Sequence, residues 1–216
     1  SLHACDQFNL FICLRNSLGR VHMNSCDFCV ASYNFADTDG DFQLEHFDNE
    51  VQHDQDCGMI EMMVKADNIS RTEWPSEEDH GLRMMVSPWS PPPWMKAPTP
   101  DDDKGAEHAA EMTGSATPSC LREGTGKSSK YAETWALFFT KFITAYKKLG
   151  INMFAVTPQN EPEFPAPWDA CAYTPKVEND FIAHHLGPLL RKTHPEVKIL
   201  MFDHNKDHVS TWGKAI

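Results

Sequence analysis

Four short apolar runs predict buried β-strands. They are Arg20–Asn24 (RVHMN), Arg83–Ser87 (RMMVS), Met153–Thr157 (MFAVT) and Lys198–Phe202 (KILMF). Each has about five residues, the usual length of a strand in a globular protein. None alternates cleanly between apolar and polar positions, which is typical of strands that are covered on both faces. The runs therefore predict the strands of a parallel sheet.

Helical periodicity fills the intervals between these runs. It is clearest over Tyr131–Leu149, where apolar residues recur every three or four positions. A second helix is predicted to begin at Thr174-Pro175, which supplies a cap residue and a proline at the first helical position. The pair Gly187-Pro188 is predicted to break or kink it. A weaker pattern indicates a helix over Val51–Ala66.

Alternation of strands and helices predicts an α/β protein whose parallel strands are joined by crossover helices. An open doubly wound sheet and part of a (β/α)8 barrel both fit this order. The dinucleotide fingerprint GxGxxG is absent from the sequence. The segment Gly124–Ser128 (GTGKS) resembles a phosphate-binding loop, but it lacks the first glycine and follows no predicted strand.

Composition narrows the classes of function. The chain has 216 residues, of which 41% are hydrophobic, and a formal net charge of −12. This length allows one sizeable core. No long basic run is present, so a nucleic-acid partner is not expected. No apolar run approaches the roughly 18 residues of a membrane span. The chain begins Ser-Leu-His, and we interpret it as an internal part of a longer protein.

Cysteine spacing gives no metal site. The seven cysteines cannot all pair within the chain. Cys26 and Cys29 have the CxxC spacing of metal ligands, but no second pair follows at a suitable distance, which favours two ordinary thiols. Their positions are Cys5, Cys13, Cys26, Cys29, Cys57, Cys120 and Cys171.

Two other patterns resemble metal sites only in part. Asp37–Asp41 (DTDGD) resembles a calcium loop, but Phe42 and Asp48 stand where an EF-hand needs Gly and Glu. A surface turn is the better interpretation. His204 and His208 are four residues apart and could bind zinc on a helix. We instead expect His208 to lie at the surface.

Unusual chemistry follows each predicted strand. The four segments carry carboxylates, amides or tryptophan, at the end of a parallel sheet where active sites form. Carboxylates and amides bind sugar hydroxyls, and tryptophan packs on the apolar face of a sugar ring. Glycoside hydrolysis usually requires two carboxyl groups, and Glu161 in NEP could supply one of them. The segments are Ser25–Phe28, Pro88–Trp94, Pro158–Pro162 and Asp203–Asn205.

At these residues the chain resembles glycoside hydrolase family 30, the glucosylceramidase-like retaining β-glycosidases. The resemblance extends over most of the chain from Gly19 onward. It implies a (β/α)8 barrel with a companion β-sandwich domain, hydrolysis of a β-glucosidic bond with retention, and no metal or other cofactor. It is carried by Gly19–Phe47, Ser87–Lys96, the helix YAETWALFFTKFITAYKKLGI, VTPQNEPEF, Cys171–Pro188 and Phe202–Asp207.

The resemblance implies a role for seven residues. Glu161 matches the acid/base, and Asn160 matches the residue that binds the sugar 2-hydroxyl. Arg20 matches a buried arginine that supports the charge state of the carboxylates. The other expected substrate-binding residues are Asp27, Trp89, Trp168 and Asp203.

The chain departs from the family pattern in its extent. The four strands correspond to about the second to fifth strand-helix units, and the family's nucleophile, a glutamate after the seventh strand, lies beyond them. We expect residues 1–18 to be a poorly matching segment, residues 19–216 an incomplete barrel domain, and residues 97–130 a long, mobile surface insertion. Since half a barrel has open sheet edges, we expect residues 1–216 alone to be unstable and inactive.

The resemblance also implies partners and a compartment. The expected substrate is a β-glucoside or glucosylceramide, which would bring contact with a membrane surface, in a lysosomal or secreted protein. Two alternatives stay open: a β-1,6-glucanase or xylan-directed enzyme of the same family, and a non-catalytic half-barrel that only binds sugar.

Overall fold

The computed structural model describes residues 18–73, 81–99 and 109–215. Its centre is a parallel sheet of four strands in the order β1-β2-β3-β4. The strands are Leu18–Met23 (β1), Arg83–Pro88 (β2), Met153–Val156 (β3) and Lys198–Ile199 (β4). The predicted α/β class with a parallel sheet is confirmed.

One row of residues shows the register of the sheet. Val21 pairs with Val86, Val86 with Val156, and Val156 with Ile199. The three valines belong to the core that the helices cover. The fourth strand is shorter than the predicted Lys198–Phe202, since it ends at Ile199. Phe202 has a positive φ of 57° and is not part of an extended strand.

Helices connect the strands. Two short 3₁₀ helices, Pro93–Met95 and Lys206–His208, lie in the loops after β2 and β4. None of the described helices is both long enough and apolar enough to cross a bilayer. The α-helices are Gln52–Asp56 (α1), Met59–Glu73 (α2), Lys130–Lys148 (α3), Pro175–Phe181 (α4), Gly187–Thr193 (α5) and Val209–Gly213 (α6).

The weak helical pattern over Val51–Ala66 resolves into two helices. The first is α1, and α2 continues to Glu73. Gly58 lies between them with φ of 79°, a left-handed conformation that glycine adopts without steric cost. A single helix was therefore the wrong expectation for this segment.

Helix α3 supplies the largest part of the core. The Ser129 hydroxyl accepts a hydrogen bond from the Ala132 N–H and caps its first turn. Trp135, Phe138, Phe139 and Phe142 are fully buried. The 3.6-residue period places these aromatic side chains on one face, so the predicted amphipathic helix is confirmed.

The helix that begins after Thr174 does not break at Gly187-Pro188. A π-helical turn, Ile182–Leu186, joins α4 to α5 with helical backbone throughout. Pro188 has no N–H to donate, and a π turn accommodates such a gap without ending the helix. A Cβ on Gly187 would lie 2.7 Å from the Ile182 carbonyl oxygen, so this close approach requires glycine.

The described part of the long insertion packs against the domain. Ala109, Met112 and Leu121 are buried, and a disulfide joins Cys120 to Cys171. Lys96, itself fully buried, donates from Nζ to the carbonyl oxygen of Gly114 at 2.7 Å. A mobile surface loop was predicted over residues 97–130. Residues 109–129 form no α-helix or β-strand and are partly buried, and their mobility stays a prediction. Residues 100–108 lie outside the described part of the chain.

Candidate active site

A polar cluster lies at the carboxyl ends of the strands, with Arg20 at its centre. The Arg20 Nη2 atom lies 2.6 Å from Asp203 Oδ2, 2.8 Å from Asn160 Oδ1 and 3.0 Å from Ser87 Oγ. These residues come from all four strands or the loops that follow them. The structure therefore brings together three residues that the sequence proposed separately: Arg20, Asn160 and Asp203.

One oxygen of the Asp203 carboxylate, Oδ2, accepts several hydrogen bonds of the polar cluster. Besides Arg20, the hydroxyls of Ser87 and Thr157 donate to Oδ2, at 2.7 Å and 3.1 Å. Thr157 also donates to Ser87 at 2.8 Å. Among the described residues, Asp203 Oδ1 has no hydrogen-bond partner, so it is available to a ligand hydroxyl. Ser87 and Thr157 were not among the predicted site residues, because each ends an apolar run.

Arg20 is less buried than the resemblance implied. In this structure 35% of its side chain is exposed. Side chains of successive strand residues point to opposite faces of a sheet. Val21 points toward the helices, so Arg20 points to the opposite face of the sheet.

The backbone fixes the position of Glu161. Its N–H donates to the Asp203 carbonyl oxygen at 2.8 Å, and the Asn160 N–H donates to the Pro88 carbonyl oxygen at 2.8 Å. These bonds tie the loop after β3 to the ends of β2 and β4. Glu161 has a φ of 44°, a left-handed conformation that is costly for a residue with a side chain. Its half-buried carboxylate has no hydrogen-bond partner among the described residues.

Trp89 contacts the polar cluster through Arg20. The Arg20 guanidinium carbon is 4.8 Å from the Trp89 ring centroid, a cation–π contact. The Phe28 ring meets the same indole edge-on at 6.0 Å. Only 4% of Trp89 is exposed, and its Nε1 has no hydrogen-bond partner. Trp89 is thus placed at the cluster, with Phe28 against its ring.

Comparison with known proteins decides the family. Residues 11–216 match the model of the glycosyl hydrolase family 30 TIM-barrel domain. The chain belongs to this family. It is 30% identical over 201 residues to lysosomal acid glucosylceramidase of Mus musculus, which covers 91% of this chain and 34% of the mouse protein. This chain thus spans about a third of the length of that curated relative.

Two further relatives extend the comparison. The crystal structure of SrfJ from Salmonella typhimurium superposes with a TM-score of 0.73 at 26% identity, covering 99% of this chain and 42% of that chain. Endo-1,6-beta-D-glucanase neg1 of Aspergillus fumigatus is 33% identical over 127 residues, which is 58% of this chain and 25% of that protein. The four parallel strands are therefore part of a family 30 (β/α)8 barrel, as predicted.

Two predicted site residues of this family 30 chain lie apart from the polar cluster. Asp27 is in an exposed turn after β1, and its carboxylate has no hydrogen-bond partner among the described residues. Trp168 is 38% exposed and contacts Phe164, with ring centroids 5.7 Å apart. Neither side chain contacts Arg20 or Asp203 in this structure, and their roles stay predictions.

A buried glutamate that the sequence did not single out supports the end of β4. Glu178 on α4 accepts a hydrogen bond from the Phe202 N–H at 3.0 Å, next to Asp203. Burial raises the pKa of Glu178 to about 7, against the lowering effect of that hydrogen bond, and the nearby Asp203 charge raises it further. Its other oxygen is buried without a partner.

A second missed glutamate anchors the loop after Glu161. Glu163 accepts hydrogen bonds from Trp212 Nε1 at 2.8 Å and from His208 Nδ1 at 2.7 Å. Desolvation acts to raise the pKa of Glu163, but these two hydrogen bonds hold it below its usual value. The same contact raises the pKa of His208. His208, expected only to lie at the surface, therefore has a partner.

Asp41 and His204, from two of the motifs that resembled metal sites, have contacts within the protein. Asp41 accepts hydrogen bonds from the Glu45 and His46 N–H groups, which agrees with a surface turn. His204 stacks on Phe202. Two groups of described residues have three potential metal ligands close together: His22 with Cys26 and Cys29, and His53 with Asp54 and Cys57. Asp54 is occupied, since the Tyr33 and Tyr146 hydroxyls donate to it.

Proposed function

We propose that this chain carries the acid/base half of a retaining β-glycosidase, with Glu161 as the acid/base. The observation that carries the proposal is the position of Glu161. Its backbone is tied to the strand ends beside Arg20, Asn160 and Asp203, while its carboxylate is uncommitted. The chemistry needs a carboxyl group that is free to exchange a proton with substrate.

In the first step, Glu161 donates its proton to the glycosidic oxygen as the bond to the anomeric carbon breaks. A second carboxylate, supplied from outside these residues, attacks that carbon. In the next step Glu161, now ionised, takes a proton from the water that releases the sugar. Retention places the two carboxyl groups about 5–5.5 Å apart in the complete site.

Asn160 is oriented for sugar binding by Arg20. A guanidinium group can only donate hydrogen bonds, so the Asn160 atom 2.8 Å from Arg20 Nη2 is the amide oxygen. The amide nitrogen therefore points away from Arg20 and can donate to a sugar hydroxyl. Asp203 Oδ1 can accept from another hydroxyl, while its Oδ2 stays bound to Arg20.

The substrate that we propose is glucosylceramide or a similar β-glucoside. The mouse relative is named a lysosomal acid glucosylceramidase. Phe28 on the loop after β1 and the contacting pair Phe164 and Trp168 on the loop after β3 are exposed aromatic side chains. Exposed aromatic side chains suit the apolar part of a glycolipid and contact with a membrane surface. We likewise propose a lysosomal or secreted location.

Glu161→Gln in the full-length protein tests the acid/base assignment. Hydrolysis of glucosylceramide, whose leaving group needs protonation, should fall by about 10³-fold or more, whereas glycosylation by an activated aryl glucoside should be much less affected. Glu50→Gln, at an exposed position, is the control. Wild-type rates on both substrates would exclude Glu161 as the acid/base.

A second candidate substrate is β-1,6-glucan, which the identity to the Aspergillus glucanase favours. Comparing kcat/KM for glucosylceramide and for a β-1,6-glucan oligosaccharide separates the two. A full-length protein that binds both sugars but hydrolyses neither would instead be a non-catalytic sugar-binding protein.

A further inference from the structure

Two cysteine side chains after β1 lie in direct contact. The sulfur atoms of Cys26 and Cys29 are 2.8 Å apart. The Cys29 N–H donates to the Cys26 carbonyl oxygen at 3.1 Å, and the Cys26 N–H donates to the Cys29 sulfur at 3.2 Å. A displacement of under 1 Å would bring the sulfurs to the roughly 2.05 Å of a disulfide bond.

The turn between these cysteines carries two residues of the candidate site. Asp27 is a proposed sugar ligand, and Phe28 packs edge-on against Trp89. The base of the turn is fixed, because the Ser25 N–H donates to the Tyr33 carbonyl oxygen at 3.0 Å and its hydroxyl donates to Asp169. The tip is more exposed than the base, since Phe28 is 72% exposed.

We propose that Cys26 and Cys29 form a reversible disulfide, and that this bond fixes the Asp27–Phe28 turn for sugar binding. The co-reactant is a disulfide compound such as glutathione disulfide. The effect on sugar binding rests on the proposed function, whereas formation of the disulfide does not. The disulfide between Cys120 and Cys171 shows that the fold accommodates such bonds.

The reaction is thiol–disulfide exchange. The Cys29 thiolate attacks one sulfur of glutathione disulfide, forms a mixed disulfide and releases one glutathione thiolate. The Cys26 thiolate then attacks the Cys29 sulfur and releases the second. Two protein thiols are thereby oxidised, one glutathione disulfide is reduced to two thiols, and the two protein protons pass to the released thiolates.

The surroundings of the two sulfurs explain why Cys29 attacks first and Cys26 second. Cys29 is more exposed than Cys26, so a disulfide compound from solution reaches the Cys29 sulfur first. Burial raises the pKa of the Cys26 thiol, and its hydrogen bond to Cys29 raises it further. Cys26 is therefore the resolving thiol, which becomes reactive once the mixed disulfide lies beside it.

A bound metal ion is the competing outcome. A ring nitrogen of His22 and the two sulfurs lie within 4.8 Å of one another, a donor set that suits zinc. Tetrahedral zinc would hold the sulfurs about 3.7 Å apart, given Zn–S bonds of about 2.3 Å. The sulfurs are closer than this, which favours a bond between them over a shared ion.

Peptide mapping of the full-length protein tests the bond directly. The protein is equilibrated with glutathione disulfide and alkylated under denaturing conditions without reductant. It is then digested with trypsin and a protease that cleaves after glutamate, which together separate Cys26 and Cys29 from Cys57 and the other cysteines, and the peptide masses are measured by mass spectrometry. We expect the peptide with Cys26 and Cys29 to carry no alkyl group and to be about 2 Da lighter than its reduced form, while Cys57 is alkylated. Alkylation of both cysteines, or one equivalent of zinc released by acid, would overturn the proposal.

Kinetics test the effect on sugar binding. For Cys29→Ser, we expect the KM for a β-glucoside to rise about 3- to 10-fold, with kcat within about twofold, because an unlinked turn must be ordered on binding. Cys57→Ser is the matched control and should keep both constants. An unchanged KM despite a confirmed disulfide refutes the role in binding. Absence of hydrolysis in every form refutes the proposed function, while the mapping still decides the disulfide.

Discussion

Arg20 Nη2 lies 2.6 Å from Asp203 Oδ2, and this ion pair joins the first strand of the sheet to the residues after the last. Asn160 and Ser87, from the strands between, bind the same guanidinium group. The contact is therefore a link across the full width of the sheet. It fixes the relative positions of the loops that carry the proposed site.

The first prediction concerns this link. Asp203→Asn removes the charge that Arg20, Ser87 and Thr157 share. We expect the free energy of unfolding to fall by about 1–2 kcal/mol, since a hydrogen bond to a charged group contributes roughly 1.5–3 kcal/mol and partial exposure reduces this. Urea denaturation of the full-length protein measures the change.

Asp180→Asn provides the matched control for Asp203→Asn. Asp180 and Asp203 both have 22% exposed side chains and a cationic partner. Among the described residues, the charged partner of Asp180 is an exposed lysine one helical turn away. The loss at Asp180 should stay below about 0.5 kcal/mol. If the two substitutions lowered the free energy of unfolding equally, the link across the sheet would contribute no more to stability than an ordinary surface ion pair.

A second prediction follows from buried Glu178. Its pKa rises from 4.5 to about 7 on folding, so the folded protein binds more protons than the unfolded chain between these pH values. Stability should therefore fall as pH rises through this window, by roughly 3 kcal/mol at most. Glu178→Gln resembles the protonated form and should flatten the dependence.

Denaturation midpoints between pH 4 and 8 test this prediction, with Glu133→Gln on the exposed face of α3 as the control. The control should follow the parent protein at every pH. If Glu178→Gln also follows the parent protein, the Glu178 side chain does not titrate as its burial implies.

The third prediction concerns the disulfide between Cys120 and Cys171. It closes a loop with a sequence separation of 51 residues, for which loop-closure entropy gives a stabilisation of about 4 kcal/mol. Cys120→Ala with Cys171→Ala should lower the free energy of unfolding by about 2–4 kcal/mol. Thermal unfolding measures the loss, and Cys57→Ala is the control. A loss below about 0.5 kcal/mol would contradict the bond's role in holding the insertion.

The fourth prediction is a pH window for the pair of Glu163 and His208. The raised pKa of His208 adds stability below its unfolded value of 6.5, which is lost as pH rises through the folded pKa. The lowered pKa of Glu163 adds stability above 4.5, which is lost as pH falls through the folded pKa. The pair should therefore stabilise the fold most between about pH 4.5 and 6.5.

A comparison of His208→Ala with the parent protein across this range measures the effect. The stability difference between the two should be largest inside the window and shrink above it. His184→Ala, which removes an exposed histidine without an acidic partner among the described residues, should show no such window. A difference that is constant with pH would mean that ionisation of the pair is irrelevant.

The parts of the site that could be predicted from sequence are those that follow apolar runs. Asn160 and Asp203 stand directly after predicted strands, and a parallel sheet brings strand ends together whatever the loops do. Glu178 and Glu163 gave no such signal, because a glutamate in a helix or loop usually faces solvent. Their burial and partners depend on contacts between segments distant in sequence.

The disulfide, the π turn and the positions of two predicted site residues depend on three-dimensional geometry that sequence patterns do not reveal. Seven cysteines allow many pairings, and only the fold brings Cys120 to Cys171. The pair Gly187-Pro188 predicts a break or kink in the helix, whereas a π turn keeps the chain helical through it, so no break occurs. Whether Asp27 and Trp168 reach a bound sugar depends on loops, whose conformation is the least determined by local sequence.

The burial of Lys96 gives the long insertion a chemical reporter. Most lysines of a folded protein react with amine-directed acylating reagents, but the Lys96 amine is enclosed by the backbone carbonyls of the insertion. Acylation there requires residues 109–121 to detach. The rate of labelling at Lys96, compared with that at an exposed lysine such as Lys65, would therefore measure how often this segment opens. No engineered probe is needed.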